Sequence, residues 1–165
     1  MKSVKWFFVV LLMCSLTSFV AKDRPTGGLS VGDIAPDFQL PANDAEQPVQ
    51  TLREKRGHLV LLSFWASYDG ASRLMNANMG YALSQAPQHV EMVSISFDEY
   101  ESMYHEAVRS DEMVGHSCYR EQRGEKSSIY QTYRLNRGFS NYLIDANGII
   151  IAKNIDPKQI LSYLN

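Results

Sequence analysis

Cysteine is almost absent from this chain of 165 residues, which contains only Cys14 and Cys118. Two cysteines are too few for a framework of disulfides, so the fold has to rest on a hydrophobic core. The hydrophobic content of 45% and the chain length are sufficient for such a core in one domain. The shortage of cysteine therefore excludes the small scaffolds that disulfides stabilise.

Strong net charge is also missing, since 16 basic and 18 acidic residues leave a formal charge of −2. That balance gives no basis for binding nucleic acid or an anionic membrane surface through charge. The sequence contains neither a glycine-rich phosphate loop nor a Gly-x-Ser-x-Gly elbow, the motifs of many nucleotide-binding proteins and serine hydrolases. The histidines show no ligand spacing, and we expect no cofactor and no metal.

The first residues predict export. Lys2 and Lys5 precede an apolar run that ends near Val20, which is typical of a secretory signal peptide over residues 1–21. Cys14 leaves a second interpretation open, an envelope lipoprotein held in the membrane by that cysteine. Either way we expect location in the cell envelope, as a periplasmic protein in the first case. A flexible lead-in over residues 22–30 and one domain over residues 31–165 would follow.

The centre of the chain predicts a strand, a short loop and a helix. Residues 59–65 form a run of branched and aromatic side chains, which indicates a strand buried on both faces. The run breaks at residues 67–70, at the carboxyl end of the strand, where α/β sheets place their chemistry. A helical period follows in Ala71, Leu74, Met75, Met79, Ala82 and Leu83.

A second strand and helix are predicted next, which makes a parallel βαβ unit. The strand covers residues 90–97, with Val93, Ile95 and Phe97 on one face. Asp98 is predicted to cap the helix, with Glu101 as its capping-box partner. The apolar stripe of this helix would consist of Tyr100, Met103, Tyr104, Ala107 and Val108.

The last third of the chain predicts shorter elements. They are a strand at Cys118 and Tyr119, a helix over residues 128–133, and a β-hairpin over residues 141–145 and 148–153. Asp156 and Pro157 favour the start of a final helix. Its buried side would consist of Ile160, Leu161 and Leu164.

Two motifs carry a resemblance to a known family. The stretch Phe64-Trp65-Ala66-Ser67 resembles the entry to the active site of exported, TlpA-like thioredoxin-like thiol–disulfide oxidoreductases. The pattern Gly-x-x-Ala-Pro-x-Phe-x-Leu over residues 32–40 resembles the start of AhpC/TSA-type domains. The resemblance implies an α/β thioredoxin-like fold, a central mixed sheet flanked by helices. It also implies an amino-terminal β-hairpin, with a turn over residues 41–48 and a returning strand over residues 49–52.

The chain departs from that family at the positions that carry its chemistry. The family motif continues Trp-Cys-x-x-Cys-Arg, whereas Tyr68 and Arg73 are here the matching aromatic and basic residues, and Asp69 and Ser72 occupy the cysteine positions. The family's cis-proline position matches Phe139, and no proline lies between residues 87 and 157. A cis bond at a residue other than proline costs about 2.5–4 kcal/mol, so we expect Phe139 to be trans. Asp69 is expected to cap the first helix.

The resemblance and these departures together predict a redox-inactive thioredoxin-like domain with a binding or scaffolding role. The partner would be a protein or peptide bound at the former active-site surface, which comprises Tyr68, Asp69, Gly70, Ser72 and Phe139. The alternative is a thiol–disulfide oxidoreductase or antioxidant-type protein that uses Cys118 or a partner's cysteine. In that case His116 and Arg120 would lower the pKa of the Cys118 thiol.

Overall fold

The computed structural model describes residues 25–41, 50–86, 90–113 and 117–164. Its centre is a five-stranded sheet with the order β3-β2-β1-β4-β5. The strands are β1 (Val60–Trp65), β2 (Glu91–Ser96), β3 (Ser117–Arg120), β4 (Asn141–Ile144) and β5 (Ile150–Lys153). The α-helices are α1 (Gly70–Ser84), α2 (Glu101–Ser110) and α3 (Ser128–Thr132), and 3₁₀ helices cover Leu52–Lys55, Gly124–Lys126, Leu135–Arg137 and Ile160–Tyr163.

The sheet is mixed, as the resemblance implied. Strands β1, β2 and β3 are parallel, whereas β4 is antiparallel to β1 and β5 is antiparallel to β4. Strand β1 lies between β2 and β4, and all six of its residues are buried. The predicted run over residues 59–65 is therefore confirmed as the central strand, and the predicted hairpin near the carboxyl end is confirmed as β4 and β5.

Side chains alternate between the two faces of the sheet and contribute to separate cores. On one face, Leu62 and Phe64 pack with residues of β2, β4 and α3. The aromatic members of this core are Phe64, Phe97, Tyr130, Tyr133 and Tyr142. On the other face, Leu61 packs against α1 and the carboxyl-terminal residues, and Trp65 packs against α2.

The first helix lies where it was predicted, but two residues of its predicted apolar stripe are exposed. Met79 is fully buried, and Met75, Ala82 and Leu83 pack beside it. The exposed residues are Ala71 and Leu74. Leu74 lies five positions before Met79, which puts the two about 140° apart around the helix axis. The buried face carries the polar side chain of Asn76 instead.

The described part of the predicted amino-terminal hairpin contains one isolated β-bridge. Gln39 pairs with Thr51 in antiparallel orientation, and residues 52–55 continue as a 3₁₀ helix rather than as a strand. Leu40 is buried and Phe38 packs against the core. The predicted turn over residues 41–48 lies almost entirely outside the described residues. Residues 25–30, expected to form a flexible lead-in, include Gly28, whose N–H donates to Ile34 O at 3.2 Å.

Two helices bury fewer apolar residues than their sequence patterns predicted. In α2, Tyr104 and Ala107 are buried and Val108 packs partly, but Tyr100 and Met103 are exposed, so the predicted stripe was too wide. The final helix is only a 3₁₀ turn, Ile160–Tyr163, which is too short to bury a full stripe. Its buried residues include Ile160 and Leu164 but not Leu161.

No helix within the described ranges is both long and apolar enough to cross a membrane. The predicted signal peptide over residues 1–21, including Cys14, lies outside those ranges.

Candidate functional site

The loop that joins β1 to α1 lies at the carboxyl end of the central strand. Asp69 precedes the first residue of α1, and its carboxylate Oδ1 accepts a hydrogen bond from Ser72 N at 2.8 Å. This bond satisfies a backbone N–H that the helix itself cannot pair. The prediction that Asp69 caps α1 is confirmed.

Ser72 is engaged by the same loop. Its Oγ donates to Asp69 O at 3.1 Å and accepts from Ala66 N at 3.4 Å. Both hydrogen bonds join the Ser72 hydroxyl to the backbone of the loop. The two residues at the cysteine positions therefore form the start of the helix.

Asp98 was predicted to cap α2, and this prediction is wrong. The N-cap of α2 is Tyr100, and the side chain of Asp98 is turned toward the loop and is only 2% exposed. The carboxylate accepts hydrogen bonds from Ser67 N at 3.0 and 3.1 Å, from Ser67 Oγ at 2.6 Å and from Ser96 Oγ at 2.6 Å. A buried carboxylate is stable only when hydrogen-bond donors surround it, and Ser67 and Ser96 provide those donors.

Phe139 lies next to the capped helix, as predicted. A groove of about 310 Å³ separates the start of α1 from residues 138–141, and we call it the α1 groove. The part of the chain that the structure describes contains no cis peptide bond, so Phe139 is trans. The lining residues that carry the argument are Asp69, Ser72, Met75, Phe139, Asn141 and Asn154.

The other two predicted surface residues lie outside that groove. Gly70 is exposed at the first position of α1 and does not line it. Tyr68 is 66% exposed and lines a second cavity on the opposite side of the loop. Partial burial raises the pKa of the Tyr68 phenol, and nearby Tyr130, Glu125 and Asp98 raise it further.

An aromatic pair supports the wall between the two cavities. The rings of Phe97 and Phe139 are stacked, with their centroids 5.9 Å apart, and Tyr130 packs edge-on against both. Phe139 is thus partly buried by packing as well as placed in the groove. Sequence periodicity cannot detect this contact, because Phe139 lies in a loop between elements.

Arg73, at the family's basic position, has a structural partner. Its Nε and Nη2 atoms donate to the two carboxylate oxygens of Asp111 at 2.6 and 2.7 Å. This bidentate pair joins the first turn of α1 to the residue that follows α2. It fixes the helix that carries the groove.

A buried polar network lies beneath α1 and was not predicted. Trp65 Nε1 donates to Ser94 Oγ at 2.9 Å, and Ser94 Oγ donates to Asn76 Oδ1 at 2.9 Å. The Nδ2 atom of Asn76 donates to Met113 Sδ at 3.3 Å. The sequence gives only a weak indication of this network, which is that Asn76 lies between apolar residues of the helix.

Cys118 lies in β3, away from the loop. It is buried against Trp65 and Tyr104, and its Sγ donates to Met113 O at 3.9 Å. Burial raises the pKa of the Cys118 thiol, which is opposite to the lowering expected from a positive neighbourhood. Arg120 is directed to Glu99 O and Glu101, and His116 lies outside the described residues.

Metal ligands are not grouped in the described part of the chain, where no three histidine, cysteine, aspartate or glutamate side chains could hold an ion together. The site presents a groove at the start of α1, and the exposed ring of Tyr68 lies beside it. The mixed sheet, the loop after its central strand and the capped helix define a thioredoxin-like domain.

Solved structures support this classification. A thioredoxin-like protein from Parabacteroides distasonis is 33% identical, with a TM-score of 0.70, and the match covers 86% of this chain and 98% of that protein. No protein-family model and no curated protein sequence matches the chain. The chain belongs to the thioredoxin-like family.

Two further similar structures are bacterial thiol–disulfide proteins. One, described as thiol:disulfide interchange protein DsbE from Chlorobium tepidum, is 25% identical with a TM-score of 0.62, and the match covers 84% of this chain and all of that one. The other is a thiol-disulfide oxidoreductase from Bacteroides fragilis, which is 22% identical with a TM-score of 0.67. The match covers 80% of this chain and 97% of that protein. The second likeness concerns the fold alone.

Proposed function

We propose that this protein is an exported thioredoxin-like domain without dithiol chemistry, which binds a partner protein or peptide in the cell envelope. The observation that carries the proposal is the start of α1, where Asp69 caps the helix and Ser72 bonds to the loop. Both side chains support the backbone, and neither contains sulfur.

Dithiol exchange needs a thiolate that attacks and a second thiol that resolves the mixed disulfide. At a helix start, the backbone N–H groups lower the pKa of the attacking thiol. Here Ser72 N, one of those N–H groups, donates to the carboxylate of Asp69. At positions 69 and 72 the helix start therefore serves structure.

The groove that remains is suited to a peptide. Met75 and Phe139 provide apolar contact, and Asn141 and Asn154 provide polar lining. Asn141 is itself held by hydrogen bonds to Ile155, from Nδ2 to Ile155 O at 3.0 Å and from Ile155 N to Oδ1 at 2.7 Å. A wall fixed in this way is a preformed surface, which lowers the entropic cost of binding.

Export follows from the first residues. The positive start and the apolar run to Val20 support a signal peptide and a periplasmic location, and Cys14 supports a lipoprotein as the other form of envelope protein. The alternative function, an oxidoreductase that uses Cys118, requires that thiol to reach solvent. Its burial and raised pKa weigh against that alternative.

Insulin reduction in the presence of dithiothreitol tests the redox part of the proposal. The purified protein should show no turnover above the reductant alone, because residues 69 and 72 carry no thiol. The Cys118→Ala variant is the matched control, and it should give the same rate. Turnover that disappears in Cys118→Ala would establish the alternative instead.

Photo-crosslinking in the envelope tests the binding part. A benzoylphenylalanine residue replaces Tyr68, which is 66% exposed beside the groove, or Tyr81, which is 72% exposed on α1. We expect discrete crosslinked species with the probe at position 68 and none with the probe at position 81. Equal crosslinking at both positions, or none at position 68, would contradict the proposal.

A further inference from the structure

The cavity on the far side of the loop has exposed apolar walls. Its volume is about 370 Å³, and we call it the acidic cavity. Tyr68, Tyr100 and Met103 line it and are 66%, 73% and 52% exposed. Large apolar side chains grouped in this way at a protein surface mark a contact site for another molecule.

The charges at this cavity are all negative. Asp98, Glu99 and Glu125 line it, and no lysine, arginine or histidine does so among the described residues. Asp98 is occupied by Ser67 and Ser96, so Glu99 and Glu125 are the surface carboxylates of the cavity, and Glu125 Oε1 also accepts from Tyr130 OH at 3.4 Å. Both glutamates are exposed. The cavity is therefore complementary to a positive side chain.

Neighbouring cations do not neutralise these glutamates. Arg120 pairs with Glu101, Nη2 to Oε2 at 3.6 Å, and donates to the backbone oxygen of Glu99. Arg123 pairs with Glu121 at 3.0 Å. Lys126 does not line the cavity. The negative potential is left for a binding partner.

The acidic cavity and the α1 groove share one wall. Tyr68 lines the first and Asp69 lines the second. Phe97 lines the acidic cavity and Phe139 lines the α1 groove, and their rings are stacked on each other. An extended chain that crosses the loop beside Tyr68 would place neighbouring residues in both cavities, because successive side chains of a strand point to opposite sides.

We propose that the acidic cavity recognises a segment of a partner protein in which a lysine or arginine lies beside an apolar residue, while adjoining residues occupy the α1 groove. This inference rests on the proposed function, since it names the class of peptide that the domain binds. Glu99 and Glu125 pair with the cation. The rings of Tyr68 and Tyr100 contact the apolar side chain, and the cation lies over a ring face.

Selection of peptides tests this preference. Random dodecapeptides displayed on phage are selected on the purified protein, and enriched sequences are synthesised with a fluorophore for titration. We expect the enriched sequences to share a lysine or arginine beside an apolar residue. The double variant Glu99→Gln and Glu125→Gln should weaken their binding by about two- to thirtyfold, the range for two exposed charge pairs.

The control variant is Glu112→Gln, which neutralises an exposed glutamate beyond the other end of α2. It should leave the affinity unchanged, and higher salt should weaken binding to the unaltered protein. Enriched peptides without basic residues, or an unchanged affinity in the double variant, would overturn the inference.

The remaining outcomes separate this inference from the proposed function. If peptides bind and shift the amide signals of Ser72 and Phe139 regardless of Glu99 and Glu125, the proposed function holds and the inference fails. If no peptide is enriched, both fail. If sedimentation shows a dimer that Tyr100→Ser dissociates, a second copy of the chain occupies the cavity and the inference is wrong.

Discussion

Asp98 holds Ser67 in place through both the backbone and the side chain of that serine, with the shortest contact, from Ser67 Oγ, at 2.6 Å. The two residues follow adjacent parallel strands, since Trp65 pairs with Ser96 in the sheet. A buried carboxylate thus fixes the loop that precedes α1.

Replacing Asp98 by Ala should lower the free energy of unfolding by roughly 2–4 kcal/mol, because buried donors of Ser67 and Ser96 lose their acceptor. Asp98→Asn should cost less, since its carbonyl still accepts from Ser67 and the Ser96 hydroxyl can turn to accept from its amide. Urea unfolding measures both. Glu99→Ala is the control at an exposed neighbour, and equal losses in Asp98→Ala and Glu99→Ala would refute the structural role of Asp98.

Asp69→Ala should destabilise the protein by about 0.5–2 kcal/mol, the usual cost of removing a helix cap. Asp69→Asn should cost less, because an amide oxygen can still accept from Ser72 N. Thermal unfolding of the two variants at one pH compares them. Unchanged stability in Asp69→Ala would show that the cap contributes nothing.

Much of this fold could be predicted because it depends on local patterns. The buried run of β1, the cap at Asp69 and the hairpin of β4 and β5 each follow from residues close in sequence. The role of Asp98 could not be predicted in this way. Its capping-box pattern with Glu101 is a valid local signal, but hydrogen bonds to Ser67, 31 residues away, determine where the carboxylate lies.

The candidate site was predictable only in part for the same reason. Asp69, Ser72 and Phe139 were placed together by resemblance, and the structure brings them to one groove. Tyr100 and Met103 were assigned to the core because their spacing is helical. A short helix on the surface buries a narrower face than its apolar pattern suggests, and the excess apolar residues became the walls of the acidic cavity.

Two buried tyrosines should differ in how much stability is lost when the hydroxyl is removed. Tyr133 OH donates to Pro36 O at 2.6 Å, so Tyr133→Phe should cost about 0.5–1.5 kcal/mol. Tyr142 OH is buried and has no hydrogen-bond partner among the described residues. Tyr142→Phe should therefore be neutral or slightly stabilising. Chemical unfolding of this matched pair checks the difference, and a larger loss in Tyr142→Phe would show that its hydroxyl is bonded.

Stability should decrease in mild alkali because of Cys118. Burial raises the pKa of its thiol above the value of 9.0 in the unfolded chain, so the folded state keeps a proton that the unfolded state releases. The contribution is fully present below pH 9 and is lost as the pH rises toward the folded pKa. Unfolding measured between pH 8 and about 9.5 should show this decrease, and Cys118→Ala should reduce it.

Ionisation of tyrosine side chains sets the upper limit of the pH range in that measurement. Burial raises the pKa of Tyr104 to about 12, so ionisation of this phenol affects stability only at higher pH, above the ordinary tyrosine value of 10.0. If Cys118→Ala retains the whole decrease below pH 9.5, another group is responsible.

Restoring sulfur at the loop tests whether the missing cysteines alone disable dithiol chemistry. The double change Asp69→Cys and Ser72→Cys puts two thiols three residues apart at the start of α1, the spacing of the family motif. A disulfide should form on mild oxidation, because residues at this spacing lie within the usual Cα separation of about 4.4–6.8 Å. Mass spectrometry after alkylation detects it.

Turnover of that double variant should nevertheless stay poor. Phe139 occupies the position of the cis-proline, its ring is stacked on Phe97, and its peptide is trans, so the edge that a substrate would pair with has a different shape. Insulin reduction measures the rate, with the triple variant that adds Phe139→Pro as the comparison. Efficient reduction by the double variant would mean that the cysteines are the only loss and that Phe139 is compatible with a disulfide substrate.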